Sequence, residues 1–254
     1  MVQLLRSVPG LSIKKGNARD GLMHMVHLWP RWSTLTDCVR SGTGAAGSEA
    51  GERTEDWTRA FIAAMDRNAA QRAPLVVAAI GLEGVRRVLD VGGGSGAYAI
   101  AFARAVTDLQ VEILDLPGVV AVTQKYIERA GLEARIRTTP GDLRTDSLGA
   151  GFDLVFLSAI CHMLDPMENC DLFTRCRRAL GRRGRLVVQD FILEPDKTSP
   201  RFAALFALNM LVGTRAGSSY SINEYTDWLR QAGFQDVKHI RLPGPTSLII
   251  GTCG

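Results

Sequence analysis

The chain contains no uninterrupted apolar run approaching the ~20 residues that cross a bilayer. Its first fifteen residues have neither a continuous apolar core nor a small-residue cleavage pattern. These absences argue against a membrane-spanning chain and against secretion. No C-x-x-C pair occurs, and the five cysteines (Cys38, Cys161, Cys170, Cys176, Cys253) make an odd count, best read as reduced thiols in a cytoplasmic protein. His24 and His27 sit three apart with no third or fourth ligand nearby, so no metal site is expected. A strong charge of one sign is also missing. The net charge of +4 gives no case for nucleic acid or a membrane surface as partner. Arg177, Arg178, Arg182, Arg183 and Arg185 do cluster, but they flank a helix end and the turn before a strand, where cations suit the helix dipole. Internal repeats and low-complexity tracts are absent.

What is present is the composition of an ordinary globule, 46% hydrophobic and 22% charged over 254 residues. That length suits one large α/β domain with an appendage. Gly21 to Leu28 and Trp32 to Arg40 read as two short helices broken at Pro30, the second ending at Ser41-Gly42. Thr43 to Glu52, rich in Gly, Ala and Ser, is expected to be a mobile loop. Glu55 to Asn68 reads as a helix with Trp57, Phe61 and Met65 at i, i+4 and i+8 in one bulky stripe. Pro74 to Ile80 reads as a further helix. From Arg87, strand patterns at 87–91, 110–115, 134–139, 152–158 and 185–191 alternate with helical ones at 97–106, 118–130, 167–180, 200–213 and 222–232. This is the rhythm of a doubly wound parallel sheet. The end breaks it: Asp236 to Leu242, Pro243-Gly244-Pro245 and Thr246 to Thr252 read as an antiparallel hairpin.

The organising stretch is Val88-Leu89-Asp90-Val91-Gly92-Gly93-Gly94-Ser95-Gly96. A short buried strand runs into a turn made almost wholly of glycine, then into an apolar-faced helix. Glycine admits positive φ there and removes every Cβ from a ligand's path. The loop and the helix N-terminus are left with N–H groups facing a cavity. Such a unit opens a nucleotide-binding α/β domain. The loop alone fits both G-x-G-x-x-G/A and D-x-G-x-G-x-G, so it does not choose between a dinucleotide and another nucleoside.

Residues at the later strand ends narrow the choice. Asp115, in Asp115-Leu116-Pro117, ends the second strand, where a carboxylate can accept from a ribose diol. It could also serve as a helix cap before Pro117. Gly141-Asp142-Leu143 follows the third strand: Asp142 could accept from an adenine amine while Leu143 packs on the ring, or the three could form a simple turn. His162 lies just beyond the fourth strand, and Asp190 stands at the tip of the fifth, beside it. A carboxylate on one imidazole nitrogen fixes the tautomer and leaves the other nitrogen as a base, the alternative being a buried, satisfied histidine.

The ordered set DVGGGSG, DLP, GD, ICH, VVQDFIL, LNML and Ala232-Gly233-Phe234 resembles the plant-type O-methyltransferases, class I enzymes dependent on S-adenosylmethionine, over about residues 55–254. The resemblance implies a seven-stranded Rossmann-like methyltransferase sheet closed by the terminal hairpin. Gly92 and Gly94 would cradle the methionine part of S-adenosylmethionine, Asp115 would hold the ribose, and Asp142 with Leu143 the adenine, with Asp90 and Leu116 also expected at the cofactor. Ser158 falls where many members have a cofactor-contacting lysine. His162 falls on the catalytic base and Asp190 on a flanking glutamate. Phe61 and Met65, with Trp57, fall on the apolar wall of the acceptor pocket, and Asn209 and Met210 on a helix facing the acceptor.

Three departures stand out. The family's H-D-W is His162-Met163-Leu164 here, and a second glutamate near the base is replaced by Ser219. Only 56 residues precede Trp57, so residues 1–54 are expected to be a helical remnant of a larger dimerisation domain, with residues 55–254 the catalytic domain. The expected activity is methyl transfer to the hydroxyl of a small aromatic or polyketide-like acceptor, by a chain that pairs as a homodimer through Val26, Leu28, Trp29 and Trp32. Carbon methylation, a non-methylating relative or an inactive short form remain as alternatives. A nucleic-acid amino-methyltransferase is disfavoured, because Ser158-Ala159-Ile160-Cys161 stands where N/D-P-P-Y/F would be. The hairpin and Asp142 disfavour an NAD oxidoreductase.

Overall fold

The apolar β-branched runs of the second half form one sheet in a computed structural model that describes Val26, residues 28–44 and residues 55–254. In chain order the elements are α1 (Leu35–Ser41), α2 (Glu55–Ile80), β1 (Arg87–Val91), α3 (Ala97–Ala105), β2 (Gln110–Asp115) and α4 (Pro117–Ala130). There follow β3 (Ile136–Pro140), β4 (Phe152–Ser158), a 3₁₀ turn (Cys161–Met163), α5 (Pro166–Ala179) and β5 (Leu180–Asp190). The chain closes with α6 (Arg201–Gly213), α7 (Ile222–Gln231), β6 (Gln235–Arg241) and β7 (Ser247–Thr252).

The seven strands lie in the order β3-β2-β1-β4-β5-β7-β6. β1 to β5 are parallel, and β7 runs antiparallel to both β5 and β6. Strand order reverses between β1 and β4, which opens a crevice at their carboxyl ends where doubly wound sheets bind ligands. Period-2 alternation sorts the core. Val88, Leu154, Phe156 and Val187 face the layer of α2 and α3, while Leu89, Val155, Leu157 and Val188 face the layer of α5 and α7.

Several boundaries differ from the sequence reading. The two helices expected at Glu55–Asn68 and Pro74–Ile80 are one, with Pro74 inside it. An interior proline costs ~3 kcal/mol, and burial of Ala73, Val76 and Ile80 on either side of it offsets this, at ~1.5–3 kcal/mol for each large side chain. Pro30 does not break the chain either. Residues 28–32 are helical, and the interruption falls at Ser33–Thr34, where Thr34 Oγ1 donates to the Arg31 carbonyl. β5 starts at Leu180 rather than 185, because Leu180 already pairs with Phe152 across a bulge. The Gly42 cap of α1 is left-handed, as its glycine allows. His24, His27, most of the expected helix 21–28 and most of the loop 43–52 lie outside the described residues.

Candidate active site

The cofactor-side and catalytic candidates sit at or just beyond the ends of strands of the parallel sheet. Gly92 and Gly94 adopt positive φ (70° and 58°). A Cβ at Gly92 would collide with Ile160 Cδ1, and one at Gly93 would stand 2.8 Å from Asp90 Oδ2. The loop is therefore folded tightly over Asp90. The Gly94 N–H donates to Asp115 Oδ2 at 2.8 Å, and the Gly94 carbonyl accepts from Thr123 Oγ1. Asp115 thus braces the glycine loop. Its other oxygen accepts from the Leu116 N–H at 2.8 Å. The helix cap proposed as its alternative role is not formed: the α4 N-cap is Leu116, with no side-chain bond. Burial raises the Asp115 carboxyl above the usual range, against the pull of the Gly94 and Leu116 N–H groups.

Asp90 is buried, and among the described residues neither of its oxygens has a hydrogen-bond partner. Burial first, then the nearby Asp115 charge, pushes its carboxyl up to about 7, while the Ala99 N–H pulls the other way from outside hydrogen-bonding geometry. Asp142 occupies the turn that the sequence allowed: its Oδ1 accepts from the Arg144 N–H, and its own N–H donates to Asp146 Oδ2, both at 2.9 Å. Leu143 reaches toward the glycine loop, its Cδ2 lying 3.8 Å from where a Cβ on Gly92 would stand. The Ser158 hydroxyl donates to Gln189 Oε1 at 3.0 Å, an engagement inside the sheet edge rather than with open space.

His162 and Asp190 are brought together. Ala159 takes a left-handed φ of 57°, which swings the chain out of β4 and into the 3₁₀ turn. His162 then presents two donors to one carboxylate. Its Nδ1 lies 2.7 Å from Asp190 Oδ1, and its backbone N–H donates to Oδ2 at 3.1 Å. The fully buried Asn169 holds this turn, its Nδ2 donating to the Cys161 carbonyl at 3.0 Å. Tyr220 adds a bond from its hydroxyl to the Leu164 carbonyl at 2.6 Å.

The acceptor-side candidates occupy two helices. Trp57 and Phe61 stack on α2 with centroids 5.1 Å apart, and Met65 continues their stripe, all half-buried. Ile62 on the same helix approaches Gly94. On α6, Met210 is buried, and Asn209 Oδ1 accepts from Trp32 Nε1 at 3.0 Å. Trp32 is therefore engaged within its own chain rather than left for a partner, whereas Trp29 is 68% exposed.

Sequence reasoning missed an aromatic wall beside the imidazole. The Phe206 ring meets His162 edge-on at 4.9 Å and lies 4.0 Å from Phe191, which in turn reaches Phe202 at 5.5 Å. The stripe of Phe202, Phe206 and Asn209 along α6 was the available signal, since i, i+4 and i+7 share one helix face. Among the described residues no group of three or more His, Cys, Asp or Glu could hold a metal, and no helix is long and apolar enough to cross a membrane.

The model of the O-methyltransferase domain family matches residues 32–235. The chain is 36% identical over 256 residues to 3-hydroxy-5-methyl-1-naphthoate 3-O-methyltransferase of Streptomyces sahachiroi, covering 96% of this chain and 72% of that protein. It is 32% identical over 182 residues to L-tyrosine C(3)-methyltransferase of Streptomyces lavendulae, 70% of this chain and 50% of that one. Among solved structures, PigF with S-adenosylhomocysteine superposes with a TM-score of 0.81 at 29% identity, over 89% of this chain and 70% of that one. Human N-acetylserotonin methyltransferase with S-adenosylmethionine gives 0.80 at 25%, over 88% and 66%. The site suits that cofactor: a side-chain-free cradle, a braced carboxylate at the β2 end and a buried carboxylate at Asp90 still short of donors. The chain belongs to the O-methyltransferase domain family and is an S-adenosylmethionine-dependent O-methyltransferase.

Proposed function

We propose that the chain methylates the hydroxyl of a small, flat, hydroxylated aromatic or polyketide-like acceptor, with His162 as general base and Asp190 as its orienting partner. The observation that carries this reading is the 2.7 Å approach of His162 Nδ1 to Asp190 Oδ1 in a buried pair. A carboxylate only accepts, so Nδ1 donates to it, and in the neutral ring Nε2 is then the nitrogen with the lone pair. When bound, S-adenosylmethionine supplies an electrophilic methyl group on a cationic sulfonium. Gly92 and Gly94 would cradle its methionine part, with Asp90 beside them and Ser158 at the neighbouring strand end. Asp115 and Leu116 would take its ribose, Asp142 and Leu143 its adenine.

A phenol with pKa ~10 gives its proton to an ordinary imidazole at ~6.5 only uphill, by ~3.5 units or about 5 kcal/mol. Nε2 therefore takes the proton as the acceptor oxygen attacks, rather than beforehand. A base so placed is expected to contribute ~10²–10⁴-fold. The Phe206 and Phe191 rings, with Trp57, Phe61, Met65 and Met210, would supply an apolar wall suited to a flat ring system, and Asn209 a polar group beside it. Similarity to a naphthoate 3-O-methyltransferase and to an 8-O-methyl transferase of tetracenomycin polyketide synthesis supports the same acceptor class.

Similarity to the tyrosine C(3)-methyltransferase favours one second reading, transfer to a ring carbon activated by the same deprotonation. Residues 55–254 are read as the catalytic unit and the segment before them as a helical appendage. Exposed Trp29 and Val39 support pairing with a second copy, and five unpaired thiols suit a reducing, cytoplasmic setting.

The test uses labelled S-adenosylmethionine with a hydroxybenzoate, a hydroxynaphthoate and tyrosine, followed by NMR of the product to separate O- from C-methylation. His162→Ala should remove most turnover while cofactor affinity, measured by calorimetric titration, stays nearly unchanged. Turnover that survives this substitution intact would rule out His162 as the base.

A further inference from the structure

Asp190 accepts from four donors. His162 Nδ1 at 2.7 Å and the Phe191 N–H at 2.8 Å engage Oδ1. The His162 N–H at 3.1 Å and the Tyr225 hydroxyl at 3.3 Å engage Oδ2. The first three come from the turn after β4 and from the residue that follows Asp190. Tyr225 alone comes from a separate element, α7. We propose that Tyr225 is a positioning residue of the methyl-transfer site, its hydroxyl holding the Asp190 carboxylate in the plane against which the His162 ring is set.

Three observations support the role. The Tyr225 ring is almost wholly buried and is clamped by Trp228 at 5.6 Å, Tyr220 at 6.3 Å and Phe173 at 6.3 Å, so its hydroxyl has a fixed place. Phe173, just as deeply buried, fills its part of the same cluster with no polar atom, so packing by itself does not call for a hydroxyl here. A hydroxyl buried this deep is destabilising unless it finds an acceptor, and the acceptor it finds is Asp190. The start of α7 is pinned as well. Ser221 and Glu224 form a capping box, and Lys197 pairs with Glu224 at 2.7 Å.

The protonation states agree with this arrangement. Burial first, and the Asp190 charge after it, hold the Tyr225 phenol protonated far above its ordinary range. The adjacent Cys161 thiol is also kept protonated, chiefly by burial. Four donors converging on one carboxylate fix where it stands, and with it the Nδ1 side of the His162 ring.

This inference rests on His162 being the base, and the experiment separates the two claims. Tyr225→Phe keeps the ring and removes only the donor. It should lower kcat about tenfold, the loss expected for one hydrogen bond to a charged group, while the acceptor KM and the calorimetric Kd for S-adenosylmethionine stay unchanged. In an Asp190→Asn background the same substitution should cause almost no further loss, because no carboxylate remains to be oriented. An unchanged kcat overturns the proposal. So does a joint loss of kcat and cofactor affinity, which would make the residue merely structural, and so do losses that multiply in the double variant. His162→Ala is run alongside. If it leaves turnover intact, the base reading fails and this inference falls with it. If it abolishes turnover while Tyr225→Phe is silent, only the role of Tyr225 is refuted.

Discussion

Asp90 and Asp190 stand at the same edge of one sheet, near the ends of β1 and β5, and both are almost wholly out of solvent. Their surroundings are opposite. Asp190 is saturated with donors, whereas Asp90 has none. A saturated carboxylate is a fixed acceptor that can hold an imidazole in one tautomer. A carboxylate without donors is costly in its charged form, and burial pushes Asp90 up to about 7. One side chain type at one depth thus serves as an orienting group or as a titrating one, according to which N–H groups the neighbouring loops deliver.

The sharpest way to break this comparison is Asp190→Ala. It strips His162 of its partner and leaves buried donors unpaired. Turnover should fall on the order of 10²-fold or more, and stability by about 3 kcal/mol, read from methyl-transfer assays and thermal melts. Next in size is Gly92→Ala. Positive φ disfavours alanine by ~1–2 kcal/mol, and its Cβ would displace Ile160. The affinity for S-adenosylmethionine in calorimetric titration should drop about tenfold or more.

Asp90→Asn should act in the opposite sense on stability. The Asp90 carboxyl has a pKa of about 7 in the fold against 3.8 as its ordinary value, so between those values the native state holds more protons than the unfolded chain. Stability contributed by this group therefore falls as pH rises through that window and levels off above it. Asp115, also raised by burial, adds a slope of the same sign. The cofactor-free protein should melt lower at about pH 8 than at about pH 5. Asp90→Asn should flatten much of that slope and gain ~1–3 kcal/mol at the higher pH, measured by denaturant titration. A pH-independent melting curve would show that Asp90 is not the strained member of the pair. The smallest effect is expected for Trp32→Phe, which frees Asn209 Oδ1. The acceptor KM should rise about threefold, with cofactor affinity unmoved.

Much of this architecture is legible in the amino-acid sequence. The strands from Arg87 onward fall within a residue or two of their expected places, apart from the start of β5; β1 and β4 in particular are parallel strands buried on both faces, which read as short apolar runs bounded by turn residues. The glycine loop and the meeting of His162 with Asp190 were legible for a related reason: both lie at strand ends whose order the alternating pattern implies. The misses share another character. Pro74 reads as a break in any local window, yet α2 runs through it because the core on either side holds the helix. Phe191, Phe206 and Tyr225 resemble ordinary core aromatics until the elements bearing them close around one imidazole and its carboxylate.

Local pattern alone determined the alternating strands and helices, the loop that only glycine can form, and the terminal hairpin, because each depends on residues adjacent in the chain. Which donors reach which carboxylate was decided by the tertiary structure. Asp90 and Asp190 look alike in the sequence, and whether a buried carboxylate is saturated or left short depends on N–H and O–H groups that packing brings from distant elements.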